Sequence, residues 1–98
     1  MGRGAEHLPL SDLPSLGVTS AKLLAEVGIE DVLSLREHGA VGSFTALRMQ
    51  FGKRITINWI YALECALLGI DWRLLSDERK AELRSSARQV IEELDRFV

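Results

Sequence analysis

Glycines at positions 28, 39, 52 and 69 each close a stretch with helical apolar spacing, and together they divide the chain into five segments. Glycine enters the left-handed conformation that ends a helix at little steric cost, so each position reads as a stop. The first segment starts at Thr19 or Ser20, either of which can cap it, and places Ala21, Leu24 and Val27 on one face. Asp31 caps the second, where Val32 and Leu35 point one way and His38 stands at the C-terminal end, favourable for a partly positive ring. The third runs from about Ala40 to Phe51, with Val41, Phe44, Leu47 and Phe51 at spacings of three, three and four.

Thr56 opens the fourth segment, which reaches Leu68 with apolar side chains around most of its circumference, the pattern of a helix buried in the middle of its domain. The link through Asp71 and Trp72 then leads to Ser76, an N-cap for a last helix with Leu83, Ala87, Val90, Ile91, Leu94 and Val98 on one stripe. Arg88, Glu92 and Arg96 make opposite-charge pairs four apart on its solvent side. About 21 residues of helix extend about 31 Å, long enough for the distal turns to project toward a partner. Only Arg54 to Asn58 alternates as a strand does, and it runs directly into the fourth helix. The expected fold is all-α, with about five helices, a buried core helix and a long amphipathic C-terminal helix.

With 98 residues the chain has room for one domain. Gly2, Gly4, Pro9, Ser11 and Pro14 punctuate its start. Met1 to His7 reads as a loose tail and Leu8 to Leu16 as an extended lead-in, so residues 1–12 are expected to be flexible and 13–98 to form the domain. Apolar residues at 47% and charged residues at 27% exclude disorder of the whole chain. A formal charge of −2 argues against strong nonspecific nucleic-acid binding and leaves only local basic patches. Cys65 is the single cysteine, so intrachain disulfides and cysteine-rich zinc sites are excluded, and a reducing cytoplasm fits. Neither a secretory leader nor an apolar run of about 20 residues is present, which disfavours export and membrane insertion.

Residues Leu13, Pro14, Ser15, Leu16, Gly17, Val18, Thr19, Ser20 and Ala21, followed by Leu23, Leu24 and Gly28, resemble the hairpin and second helix of a helix-hairpin-helix motif. Such a turn aims backbone N–H groups outward at a helix N-terminus, where phosphate is favoured. Gly17, Val18, Thr19, Ser20 and Lys22 are therefore the candidate nucleic-acid contacts. Ser15 stands where the motif usually has its first glycine, and Gly17 and Thr19 serving only to turn and cap the chain is the competing explanation. Arg48, Lys53 and Arg54 form a second basic neighbourhood, suited to phosphate or an acidic protein surface; a solvated helix end whose cations complement the carbonyl dipole is the favoured explanation.

Glu64 is the only carboxylate between Thr56 and Leu68, so it requires a cationic or N–H partner, or a place at the surface. Asn58 on the same helix is expected to bond to backbone near the helix entrance. Trp59 and Trp72 are expected to bury large areas, with Trp72 locking the link to the last helix. Cys65 reads as a small buried residue. His7, His38 and Cys65 have neither metal-site spacing nor the arrangement of a nucleophile and base. Phosphate-loop, dinucleotide and metalloprotease signatures are absent, so the sequence points to no enzyme, metal or cofactor.

The run Asn58, Tyr61, Ala62, Leu63, Glu64, Ala66, Gly69 and Trp72, then Glu78, Arg79, Lys80, Ala81, Glu82 and Leu83, resembles the C-terminal domain of the TfoX/Sxy family of bacterial competence regulators. Leu13, Pro14, Leu16, Gly17, Ala21, Leu24, Gly28 and Ile29 fit the same family in the same order. Many members carry glycine where this chain has Cys65. The resemblance implies an all-helical, helix-hairpin-helix-like domain, which in longer members follows a separate N-terminal domain; this chain reads as a stand-alone form. It also implies a role in controlling DNA-uptake genes, acting with the cyclic-AMP receptor protein at promoters. It assigns no catalytic residue, and Asn58, Tyr61, Glu64, Gly69 and Trp72 are read as structural.

Two functions follow as expectations. The first is a cytoplasmic, nonenzymatic regulatory domain that works with a transcription factor or the transcription machinery and touches DNA at the hairpin. The second is a protein-interaction module, or a homodimer through the final helix, without nucleic-acid contact.

Overall fold

The computed structural model describes Leu10, Leu13 and residues 16–96. Among the described residues four α-helices appear: α1 (Val18–Glu26), α2 (Val32–Phe51), α3 (Asn58–Leu68) and α4 (Asp77–Asp95). Short 3-10 turns at Gly52–Arg54 and Trp72–Leu74 link α2 to α3 and α3 to α4. No strand forms among the described residues. Most of the flexible tail expected over residues 1–12 lies outside the described residues, but Leu10 is packed into the core at 2% exposure.

The four helices relate simply to the five segments of the sequence. The second and third join in α2, whose 20 residues contain one non-helical position, Gly39, with φ 73° and ψ 172°. An L side chain is strongly disfavoured there, so Gly39 ends the first arm, as its place in the sequence predicts, and a second arm starts directly after it. The stop at Gly69 is a full one. With φ 69° and ψ 32°, it lets the Ile70 N–H reach back to the Cys65 carbonyl at 3.1 Å and close the last turn of α3. Gly28 ends α1 by the same pattern, the Ile29 N–H donating to the Leu24 carbonyl at 2.9 Å.

Helix starts divide into two kinds. Asp31 accepts a hydrogen bond from the Ser34 N–H at 2.8 Å, and Ser76 accepts one from the Arg79 N–H at 3.1 Å, so α2 and α4 carry the caps their sequences specify. In α1, Gly17 occupies the cap position and makes no side-chain cap, while Thr19 and Ser20 fall inside the first turn instead of before it.

The core lies where α2, α3 and α4 pack against one another, and α2 is the hub, touching α1 as well. Leu35, Phe44 and Leu47 from α2, Ile60, Leu63 and Cys65 from α3, and Leu83 and Ala87 from α4 are all buried there, joined by Leu24 of α1. Burying each large aliphatic or aromatic side chain contributes roughly 1.5–3 kcal/mol before entropy is subtracted, which makes this helical sandwich the main source of stability. Val90, Ile91 and Leu94 continue the α4 stripe half-buried, and the end of α4 lines a groove with Arg48, Met49, Gly52 and Lys53. Its last turns thus run beside the end of α2. The Arg88, Glu92 and Arg96 series makes no ion pairs among the described residues; the ion pairs of α4 are made by Arg79.

Among the described residues one buried side-chain polar atom is left alone. Ser43 is fully buried in α2, and its Oγ has no hydrogen-bond partner. A helical serine usually bonds to the carbonyl four residues earlier. Here that residue is Gly39, whose extended ψ turns the carbonyl off the helix axis.

Candidate functional site

The first candidate surface is the start of α1. Leu10, Leu13 and Leu16 follow one another at intervals of three, linked by the Leu13 N–H to Leu10 carbonyl bond at 3.0 Å and the Leu16 N–H to Leu13 carbonyl bond at 3.3 Å. Leu10 and Leu16 are buried and Leu13 is half-buried, so these leucines fasten the chain as it enters Gly17. Gly17, Val18, Thr19 and Lys22 are exposed and Ser20 is half-buried. The first intrahelical bond is that of the Ala21 N–H to the Gly17 carbonyl, at 3.0 Å. The N–H groups of Val18, Thr19 and Ser20 have no backbone acceptor among the described residues, and the first turn holds no carboxylate. This is the electrostatic arrangement that favours an anion at a helix N-terminus.

The basic neighbourhood of Arg48, Lys53 and Arg54 is spoken for locally. Arg48 Nη1 donates to the Ile55 carbonyl at 2.9 Å and so ties α2 to the residue after the 3-10 turn. The Arg54 guanidinium lies 5.6 Å from the centre of the Phe51 ring. Lys53 is exposed. Arg48 and Lys53 line one groove with Leu94 and Asp95 at the end of α4.

The second surface lies where α3, the Trp72–Leu74 turn and α4 meet. Asn58, Tyr61 and Ala62, at spacings of three and one on α3, line a cleft of about 380 Å³ with Trp72. Trp72 is 56% exposed, so the expectation that it is buried as a lock is corrected: the 3-10 turn directs the indole to the rim of the cleft. Asp71 shapes that turn, its carboxylate accepting from the Arg73 N–H at 2.9 Å and from the Arg73 guanidinium at 3.2 Å. Those bonds hold the Asp71 carboxyl below its ordinary pKa. Asn58 makes no hydrogen bond to backbone among the described residues; it is exposed and faces the cleft.

Two cations of α4 close the rim. Lys80 Nζ lies 5.4 Å from the centre of the Trp72 ring, and Arg84 Nε donates to the Tyr61 hydroxyl at 3.1 Å. The Tyr61 bond raises the Arg84 pKa, keeping the guanidinium charged. Arg84 does not stand out in the sequence, and Lys80 does so only within the family run, although the signal is present: Lys80, Arg84 and Arg88 are spaced by four and share one flank of a helix.

Glu64 has the partner its position required. Its side chain is 12% exposed, and Arg79 Nε donates to Oε2 at 2.7 Å, while Arg79 Nη1 donates to Glu82 at 3.2 Å. The Glu64 bond raises the Arg79 pKa, and the pair joins α3 to α4. Cys65 is fully buried, and that burial pushes its thiol pKa up, with Glu64 and Asp71 adding to the effect. A protonated, enclosed thiol is a packing group, not a nucleophile. Among the described residues no group of histidine, cysteine and carboxylate side chains is placed to hold a metal ion, and no helix is long and apolar enough to cross a membrane.

The comparisons with known proteins agree on one relationship. The DNA transformation protein TfoX of Haemophilus influenzae is 33% identical over 81 residues, covering 83% of this chain and 37% of that protein. Protein Sxy of Escherichia coli is 38% identical over 74 residues, 76% of this chain and 35% of that protein. The chain thus spans less than two fifths of the length of these curated relatives. An uncharacterised protein from Listeria monocytogenes, solved in a triclinic crystal, superposes with a TM-score of 0.80 at 28% identity, over 85% of this chain and 93% of that one. With residues 6–87 matching the TfoX C-terminal domain, this chain belongs to that family.

Proposed function

We propose that the chain is a nonenzymatic regulatory domain linked to transcriptional control of DNA-uptake genes in the bacterial cytoplasm, and that it contacts DNA through the start of α1. Family membership carries the first part, since relatives that share this domain are named DNA transformation proteins. The α1 N-terminus supports the second. N–H groups of Val18, Thr19 and Ser20 without a backbone acceptor among the described residues, with Lys22 one turn on and no carboxylate in the first turn, support a helix-hairpin-helix-like seat for a backbone phosphate. A net charge of −2 confines the contact to this spot, so it is weak and salt-sensitive.

A two-dimensional NMR titration of the chain with short duplex DNA at low salt tests this reading. Shifts confined to Gly17 through Lys22, with a shallower salt dependence of affinity in Lys22→Ala, are the expected result. An unperturbed α1 removes DNA contact and favours the second reading, a protein-interaction module or a homodimer through α4. The exposed Leu68, Trp72 and Leu74 around the exit of α3 support that reading. Sedimentation at increasing concentration then separates a homodimer from a monomer that binds other proteins.

A further inference from the structure

Lys80, Arg84 and Arg88 form a stripe along α4 that begins at the aromatic cleft. Among the described residues none of them is ion-paired to a carboxylate: Lys80 rests on the Trp72 ring, Arg84 bonds the Tyr61 hydroxyl, and Arg88 lies exposed beside Arg84 on a shallow polar groove whose far end is marked by Glu92. This differs from Arg79 and Arg73, whose charges are neutralised by Glu64 and Glu82 and by Asp71. A local run of unneutralised positive charge thus adjoins an apolar cleft walled by Trp72 and Tyr61 in a chain that is acidic as a whole. Tryptophan, tyrosine and arginine are the residues in which binding energy concentrates at protein surfaces.

We propose that this surface docks a short acidic segment of a partner protein in extended conformation, with one apolar or aromatic side chain in the cleft and carboxylates along the stripe. The spacing matches. Successive cations four residues apart on a helix rise by about 6 Å, and alternate side chains on one face of an extended peptide are about 6.6 Å apart. A cleft of about 380 Å³ takes one or two large side chains and not a helix. Charge complementarity selects an acidic occupant, and the rest of α4 limits its length. Between Asp77 and Asp95 the helix also carries six carboxylates, at Asp77, Glu78, Glu82, Glu92, Glu93 and Asp95, against four cations. A continuous polyphosphate backbone meets those carboxylates on either side of the stripe, whereas a short peptide occupies the stripe alone. The surface is separate from the start of α1, and its occupancy does not depend on DNA contact there.

The test is an NMR titration of the whole chain with a synthetic peptide that has one phenylalanine followed by glutamates at alternate positions, separated by serines. The expected result is coincident shifts of the Trp72 indole N–H, the Asn58 side-chain amide and the Arg84 Nε–H, weakening as salt is added. The double variant Arg84→Gln, Arg88→Gln is expected to lose about tenfold in affinity, and Trp72→Ala to remove the aromatic response while an unchanged far-UV circular dichroism spectrum shows that the fold persists. Shifts elsewhere, equal binding of a lysine-for-glutamate peptide, or undiminished affinity in the double variant overturn the proposal. So does a single-stranded oligonucleotide that shifts the cleft when the peptide does not. The duplex titration reads Gly17 to Lys22 instead, so the two proposals fail separately.

Discussion

Helices α1 and α3 each present a candidate surface, and both pack against α2, but they are held by different means. α3 packs against both α2 and α4, with Ile60, Leu63, Cys65 and Ala66 buried and with two polar ties to α4, Glu64 to Arg79 and Tyr61 to Arg84. α1 packs on α2, buries only Leu24 completely and begins without a side-chain cap. A surface of side chains braced across helices has its geometry set before a ligand arrives. A surface of backbone donors at a helix start depends on that start remaining folded, and regions with few buried contacts open most readily.

The largest effect that probes this contrast is at Leu63. Leu63→Ala is expected to lower stability by about 2–5 kcal/mol in denaturant unfolding and to accelerate hydrogen exchange through α2, α3 and α4 together. In the unmodified chain, α1 amides are expected to exchange before those of α3; equal protection would erase the distinction between the two surfaces. Cys65→Gly comes next. It places in α3 the residue common in the resembling family, and the loss of helix propensity and of a buried side chain is expected to cost about 1–3 kcal/mol. Glu64→Ala should cost about 1 kcal/mol, a modest figure because Arg79 is 43% exposed and regains water. A double-mutant cycle with Arg79→Ala isolates the tie between α3 and α4.

Two smaller effects sharpen the picture. Ser43→Ala removes a buried hydroxyl that has no partner and is expected to raise stability by up to about 1 kcal/mol, visible as a higher melting temperature. At the Trp72 turn, the Asp71 carboxyl is expected to titrate below the ordinary carboxylate range by NMR, because Arg73 bonds its ionised form. Its folded-state pKa is depressed. The small support it gives the turn is therefore complete above the unfolded-state value and disappears as the pH falls through the lowered one. In Arg73→Ala the titration should return toward the ordinary range.

The sequence revealed elements more readily than surfaces, and the reason lies in the range of the interactions. Gly28, Gly69, Asp31 and Ser76 act on neighbours within five residues, so their roles as stops and caps were readable from local spacing. The need for a partner at Glu64 was legible for the same reason, but Arg79 lies 15 residues away and only the packing of α4 on α3 supplies it. Trp72 illustrates the opposite case. Its size predicts burial, and the 3-10 turn overrides that prediction by placing the ring at a rim. The stripe from Lys80 to Arg88 was visible as spacing, but its meaning depended on finding Trp72 and Tyr61 beside it.

The break at Gly39 also bears on how this domain tolerates changes in length. In an uninterrupted helix, one inserted residue turns every later side chain by about 100° and carries the buried stripe out of the core. In α2 the two arms are indexed separately: Val32 and Leu35 set the facing of the first, and Ala40, Phe44 and Leu47 that of the second. Non-helical backbone between them already resets the phase, so the junction is the one place within this long helix where a residue can be gained or lost without rotating either arm as a whole.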